Sequence, residues 1–118
     1  MNVPKPERDV RKWGEELCLS RGTTPPAMVK IITVKPGEAL SLQYHIKRDE
    51  FWLVISGAGS AVIGTETIGL TAGASCFIGK QVKHRAVGGT SGLVFLELSF
   101  GEFDEKDIVR IEDKYGRA

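Results

Sequence analysis

Gln43, His45, Glu50 and His84 carry the donor set from which this chain could build chemistry. Gln43 and His45 stand two apart in an apolar, β-prone run, so on a strand both side chains point to one face. Glu50 opens the next apolar run after the charged turn Lys47-Arg48-Asp49, and His84 arrives after two further turns. An amide oxygen, two imidazoles and a carboxylate together suit a divalent cation. Taken singly, His45 and His84 read as ordinary sheet histidines, Glu50 as a partner for Arg48 or Lys47, and Gln43 as a surface strand residue. Taken together, with the only two histidines of the chain among them, they read as a metal shell with positions left for a ligand's oxygens.

Lys30 and Glu97 are the second pair with chemical potential. Lys30 interrupts the apolar run Val29 to Val34, and Glu97 interrupts Leu93 to Phe100, the most apolar run of the chain. A carboxylate in such a strand needs a partner, because unpaired burial is costly. The two could form an ion pair, lie on the solvent face, or line a cavity as acid–base groups.

The elements that must position these groups are short strands. Fourteen glycines recur between short apolar runs, a pattern of strands and tight turns rather than helices. Strands are expected at 27–34, 39–46, 50–55, 60–63, 66–70, 75–78, 84–87 and 92–100. Pro36-Gly37, Ser56 to Gly59, Ala72-Gly73 and Gly88-Gly89 supply the turns. Eight closely spaced strands predict an all-β antiparallel sandwich or barrel. Residues 1–26, rich in proline and charge, read as an irregular arm pinned to the barrel by Trp13, with a loop at 21–26. Residues 27–101 read as the barrel. Residues 102–118 are dense in charge and read as a short helix or an extended tail packed on it.

The 118 residues fit one domain with one core. A formal net charge of +1 gives no electrostatic case for nucleic acid or an anionic membrane surface. No apolar run approaches the roughly 20 residues needed to cross a bilayer. The polar N-terminus lacks a signal-peptide core, so a cytoplasmic location is expected. Cys18 and Cys76 form no metal-type pair, and Cys76 reads as a buried free thiol.

Gly37, Gln43, His45, Glu50 and Gly57 fall at the spacing of the first cupin motif, with Gln43 in place of its first histidine, and Gly73 and His84 match the second. The chain therefore resembles a single-domain cupin, a double-stranded β-helix or jelly-roll barrel. More narrowly, it is similar to the type II mannose-6-phosphate isomerase domain, often the C-terminal part of bifunctional mannose-1-phosphate guanylyltransferases. Trp13-Gly14, Val34 to Gly37, Leu40 to Gln43, Trp52, His84-Arg85, Asp107 to Arg110 and Tyr115-Gly116-Arg117 carry that likeness. The resemblance implies metal-dependent interconversion of mannose 6-phosphate and fructose 6-phosphate, in mannose and nucleotide-sugar metabolism. Zinc is the leading expectation for the metal, with cobalt, manganese, nickel or iron as alternatives, and the implied assembly is a homodimer.

A sugar-phosphate substrate directs attention to arginines, whose forked donors match phosphate. Arg48, Arg85 and Arg110 match arginines of the family pattern. Arg48 sits between two ligand positions. Arg85 follows His84, so on a regular strand it points to the opposite face. Arg110 lies on the tail and is the leading phosphate binder, with a surface pair to Asp107 or Glu112 as its other reading. Glu97, Lys30 and Arg110 are the expected catalytic set. Phe51, Gly79, Gln81, Gly88 or Gly89, and Ser99 depart from the family pattern. Two alternatives therefore stand: a non-catalytic metal- or sugar-binding cupin, or an enzyme acting on another small carbonyl or sugar. No glycine-rich nucleotide loop precedes the barrel, so guanylyltransferase activity is not expected.

Overall fold

The structure is a computed structural model, and it describes residues 6–21, 26, 28–102 and 104–113. The Tyr115-Gly116-Arg117 motif and most of the expected 21–26 loop lie outside them. Nine strands follow one another with no helix among the described residues: β1 (Glu7–Arg11), β2 (Gly14–Arg21), β3 (Met28–Val34), β4 (Leu42–Tyr44), β5 (Arg48–Ile63), β6 (Glu66–Thr71), β7 (Ser75–Ile78), β8 (His84–Gly101) and β9 (Val109–Glu112).

The long strands β5 and β8 form one antiparallel ribbon that serves two sheets. Near Glu50 to Val54, β5 pairs with β7 on one side and β8 on the other. There β8 also pairs with β3, which leads to β2 and β1. Near Gly59 to Ile63, β5 pairs with β6, and the start of β8 reaches β4, which pairs with β9. All nine strands belong to one hydrogen-bonded sheet, which this bent ribbon folds into two facing sheet halves, the expected cupin jelly roll.

Two sequence expectations change. The breaks expected after Ile55 and Val87 are bends inside continuous strands. The ladder shifts register between Val54 and Ser56 and between Gly57 and Gly59, so these glycines mark bulges rather than chain-reversing turns. A Cβ on Gly57, at φ +79°, would lie 2.2 Å from the Gly92 carbonyl oxygen. Second, the arm expected to be irregular contains the β1–β2 hairpin, in register from Glu7↔Cys18 to Arg11↔Gly14. Its alternating charges hid a strand that is exposed throughout. The tail takes the extended form of the two expected for it, as β9. Its apolar residues Val109 and Ile111 remain exposed, so main-chain pairing with β4 holds it.

The core sits between the sheets. Ile32, Val34, Trp52, Val54, Leu70, Ile78, Leu93 and Phe95 alternate inward, and Ala61 and Ala86 leave room where the sheets approach. Trp52 and Phe95 stack with ring centroids 4.6 Å apart. Trp13, at the tip of the β1–β2 hairpin, is buried in this core, and its carbonyl accepts from Lys35 N at 2.7 Å. It pins the arm as expected. Cys18 and Cys76 form no disulfide, and Cys76 is half-buried rather than fully buried. Burial and the nearby Glu50 charge push its thiol up to about 11.

Replacing Trp13 by Ala removes the hairpin's anchor and leaves a cavity in a close-packed core. The expected loss is about 3–5 kcal/mol, read as a lowered urea midpoint with an unchanged slope. An unaltered midpoint would show that the hairpin tip does not carry core energy.

Candidate metal centre

His45, Glu50 and His84 meet where the two sheets face each other. Glu50 comes from the first sheet, at the start of β5. His84 opens β8 in the second, opposite Gln43 and Ile63. His45 follows β4 directly. All three are buried, at 2%, 1% and 1% exposure, so a chain of 118 residues has set an acid and two imidazoles where water does not reach them freely.

The donor atoms converge. His45 Nε2 lies 3.3 Å from Glu50 Oε2, and His84 Nε2 lies 3.5 Å from Glu50 Oε1. The three ligand atoms fall within 4.8 Å of one another. Two donors each about 2.1 Å from one ion stand roughly 3.0–3.4 Å apart in octahedral or tetrahedral geometry, so the histidine–glutamate spacings fit. The tautomers fit as well. His45 Nδ1 sits 2.7 Å from the Asp107 carbonyl oxygen and His84 Nδ1 2.9 Å from that of Val82. A carbonyl only accepts, so each neutral ring carries its hydrogen on Nδ1 and turns the Nε2 lone pair to Glu50. Backbone-anchored imidazoles of this kind are the usual support of metal ligands. His84 Nε2 has no hydrogen-bond partner despite its burial, which is costly unless a cation or proton meets it. Imidazole and carboxylate donors suit zinc, cobalt, manganese, nickel or iron.

Gln43 borders the same point. Its amide nitrogen is 3.4 Å from His45 Nε2, and its oxygen accepts from Ser41 Oγ. A half-turn of the amide exchanges the two atoms and leaves Ser41 Oγ as the acceptor, and this turn presents the oxygen as a ligand. Arg48, expected between two ligand positions, is buried rather than a solvent-facing turn charge. Its Nε donates to Glu50 Oε2 at 3.1 Å and its Nη2 lies 3.2 Å from His45 Nε2. Trp52 Nε1 donates to Glu50 Oε1 at 3.2 Å. Burial works to raise the Glu50 pKa, but hydrogen bonds and positive charge from His45 and His84, in the form that carries a hydrogen on Nε2, outweigh it and hold the carboxyl well below the usual range.

A cavity of about 220 Å³ adjoins the cluster, lined among others by Gln43, Arg48, Glu97, Lys30 and Arg110. That volume lies below the range of about 300–1,000 Å³ typical of drug-sized pockets and suits a small polar molecule. The hairpin contributes Asp9, Arg11 and Trp13 to its wall, and the tail contributes Glu105, Ile108 and Arg110. The arm and tail, at opposite ends of the sequence, thus close one cavity.

Lys30 and Glu97 are opposite one another in the β3–β8 ladder, yet the short contact of Lys30 Nζ is with Glu16 Oε1 on β2, at 2.6 Å. The expected ion pair is therefore displaced by one strand. Burial works to lower the Lys30 pKa, but Glu16 and Glu97 outweigh it and raise it, so the amine stays protonated. It can bind an anion or donate a proton. Glu97 moves the other way from Glu50: burial, with the Glu50 charge beside it, pushes its carboxyl well above the usual range against Lys30 and Arg48. Two inward carboxyls are thus pushed in opposite directions, Glu50 down and Glu97 up.

Arg85, expected among the substrate-binding arginines, stands apart from Arg48 and Arg110. It does not line the cavity. Its Nε donates to the Leu40 carbonyl at 2.9 Å and its Nη1 to Glu112 Oε1 at 3.1 Å, because strand alternation sends it away from the face His84 occupies. It ties the tail to the barrel. Arg110 is half-buried, faces Gln43 across β4–β9 and lines the cavity. The departures from the family pattern, Phe51, Gly79, Gln81, Gly88, Gly89 and Ser99, all stand outside the cavity lining. Asp107, which the sequence offered only as a possible partner for Arg110, proves to hold His45; in a tail where charge is everywhere, nothing local marks it.

The family model described as "Mannose-6-phosphate isomerase C-terminal" matches residues 4–113. The chain is 42% identical over 110 residues to the xanthan biosynthesis protein XanB of Xanthomonas campestris, covering 92% of this chain and 23% of that protein. It is 38% identical over 110 residues to a mannose-1-phosphate guanylyltransferase of Klebsiella pneumoniae, with the same coverage. It thus spans under a quarter of the length of these curated relatives. Among solved structures, the capsular polysaccharide assembling protein CapF of Staphylococcus aureus superposes with a TM-score of 0.75 at 20% identity, over 92% of this chain and 34% of that one, a likeness of fold. With the matched span covering nearly the whole barrel and its buried His–Glu–His cluster, the chain belongs to the mannose-6-phosphate isomerase C-terminal family, built on the cupin fold.

Proposed function

We propose that this chain interconverts mannose 6-phosphate and fructose 6-phosphate with a divalent metal held by Gln43, His45, Glu50 and His84. The observation that carries the reading is the convergence of two Nε2 lone pairs on the buried Glu50 carboxylate beside a small cavity that contains cations. When bound, the metal supplies a Lewis acid for the sugar carbonyl. Arg110 and Lys30, with Arg48 behind them, offer positive charge for the phosphate. Glu97 is the acid–base group: a carboxyl raised from its ordinary range is better matched to proton transfer near neutral pH. In its ionised form it takes the proton from the carbon beside the carbonyl and returns it to the former carbonyl carbon, while the hydroxyl hydrogen of the first carbon passes to the former carbonyl oxygen, so that the carbonyl moves by one position. Charged substrates of this kind do not cross membranes freely, so a cytoplasmic location goes with the proposal. No helix among the described residues is long and apolar enough to cross a membrane.

A homodimer is part of the same proposal. The outward faces of β3, β8, β5 and β7 are apolar in successive cross-strand rows: Ile31, Leu96 and Leu53, then Val29, Leu98, Phe51 and Phe77. Phe77 is 60% exposed and Ile55 49%. Five strands including β2, spaced about 4.8 Å apart, present roughly 500 Å² in projection. Side-chain relief carries this toward the roughly 800 Å² per partner of a stable interface. The centre of this face is uncharged, with Glu15 and Asp49 at its margins, so its middle pairs with its own copy without like-charge cost.

Three outcomes are expected. Metal-stripped protein should form no fructose 6-phosphate and regain turnover on reloading with zinc, cobalt, manganese or nickel. Gln43→Ala and His84→Ala should abolish it, and Arg110→Ala should raise KM more than it lowers kcat. Stoichiometric metal binding without turnover would leave a binding cupin instead. In metal-free protein, Glu97 binds its proton more tightly when folded, so wild-type stability should fall as pH rises above the unfolded carboxylate value of about 4.3 toward the folded one. Glu97→Gln lacks that loss, and denaturation between those limits should show the variant gaining on wild type as pH rises; parallel curves would contradict a raised Glu97. Sedimentation at micromolar concentration should show a dimer that Phe77→Asp dissociates, and a wild-type monomer would refute that interface.

A further inference from the structure

We propose that Asp107 is a positioning residue of the metal centre, one that sets which nitrogen of His45 faces Glu50. The inference rests on the reading of His45 as a ligand. His45 and His84 are both oriented by a carbonyl on Nδ1, but by different means. The His84 carbonyl belongs to Val82, two residues away on the same segment. The His45 carbonyl belongs to Asp107, 62 residues away in the tail. The pose of one ligand is therefore local, and the pose of the other depends on where the tail is docked.

The Asp107 side chain fixes that docking. Its Oδ1 accepts from Ile46 N and its Oδ2 from Lys47 N, each at 2.8 Å. These are the two amides that follow His45, so a single residue grips the ring of His45 and the main chain beside it. Asp107 is 9% exposed. Burial works to raise its pKa, but the two amides outweigh it and hold the carboxyl below its ordinary value. The segment is braced on both sides. Asp107 N donates to the Asp104 carbonyl at 2.9 Å, and β9 pairs Val109 with Tyr44 and Arg110 with Gln43. A carboxylate on two amides would by itself be a loop staple. The carbonyl on the imidazole goes further, since it decides whether Nε2 presents a lone pair or a hydrogen to the centre.

The test uses the full chain, metal-free, with nitrogen-15-labelled histidines. Two-bond proton–nitrogen correlation spectra report each ring's tautomer, and His84 serves as the internal reference. Wild type should show both neutral rings protonated on Nδ1. In Asp107→Ala, His45 should become a mixture containing the Nε2–H form while His84 is unchanged, and zinc affinity should fall about 10–100-fold. Asp107→Asn keeps the acceptor for Ile46 N but sets an amide against Lys47 N, and its His45 should lie between the two; it carries the test if the alanine variant fails to fold. An unchanged His45 tautomer with unchanged zinc affinity would overturn the proposal. So would both rings changing together, the mark of general loosening. The tautomer readout needs neither metal nor turnover, so it stands apart from whether the chain isomerises a sugar phosphate.

Discussion

The structure turns on one buried carboxylate. Glu50 is 1% exposed, and an ion in such a place is tolerated only if its lone pairs are met. The Arg48 guanidinium and the Trp52 indole donate to it, and two imidazoles face it with the nitrogens that a cation or a proton would bridge to it. Each partner comes with its own requirement. The imidazoles need carbonyls on their far nitrogens, which calls in the tail. Trp52 needs an aromatic neighbour, which Phe95 supplies. Satisfying one charge thus ties together β4, β5, β8 and the segment before β9.

The bent β5–β8 ribbon makes this convergence possible. A flat sheet would keep Glu50 and His84 far apart along one ladder. Because the ribbon bends at its glycines, Glu50 belongs to one sheet and His84 to the other, and the two face each other across the interior. Among the described residues, the back of the first sheet is apolar and carries the exposed side chains of Leu53, Ile55 and Phe77, the surface to which the proposed homodimer is assigned.

Electrostatics then divides the two inward carboxyls. Glu50 lies against the histidines and its carboxyl is held below the usual range, while burial and that negative charge push the Glu97 carboxyl above it. Environments that push two like groups in opposite directions are the means by which a single site holds an anion and an acid together. Lys30 and Arg48 keep the overall charge of the cavity wall in balance, and Arg110 brings a further positive charge from the tail.

The donors Gln43, His45, Glu50 and His84 were legible in the sequence, because ligand chemistry is a property of residue type and strand alternation puts Gln43 and His45 on one face. Strands β3, β6 and β7 were legible for the same reason of alternation and flanking glycine. The hairpin β1–β2 was not: an exposed strand buries nothing, so Glu7 to Arg11 carries no hydrophobic period to read. Nor could glycine spacing tell a bulge from a turn at Gly57 and Gly59, since both ask for the same backbone freedom. Tertiary structure alone decided that Arg85 serves the tail, that Lys30 pairs with Glu16, and that Asp107 holds His45. Those contacts join segments distant in the chain, and the sequence records which groups are present but not which of several equal charges the fold will bring within 3 Å.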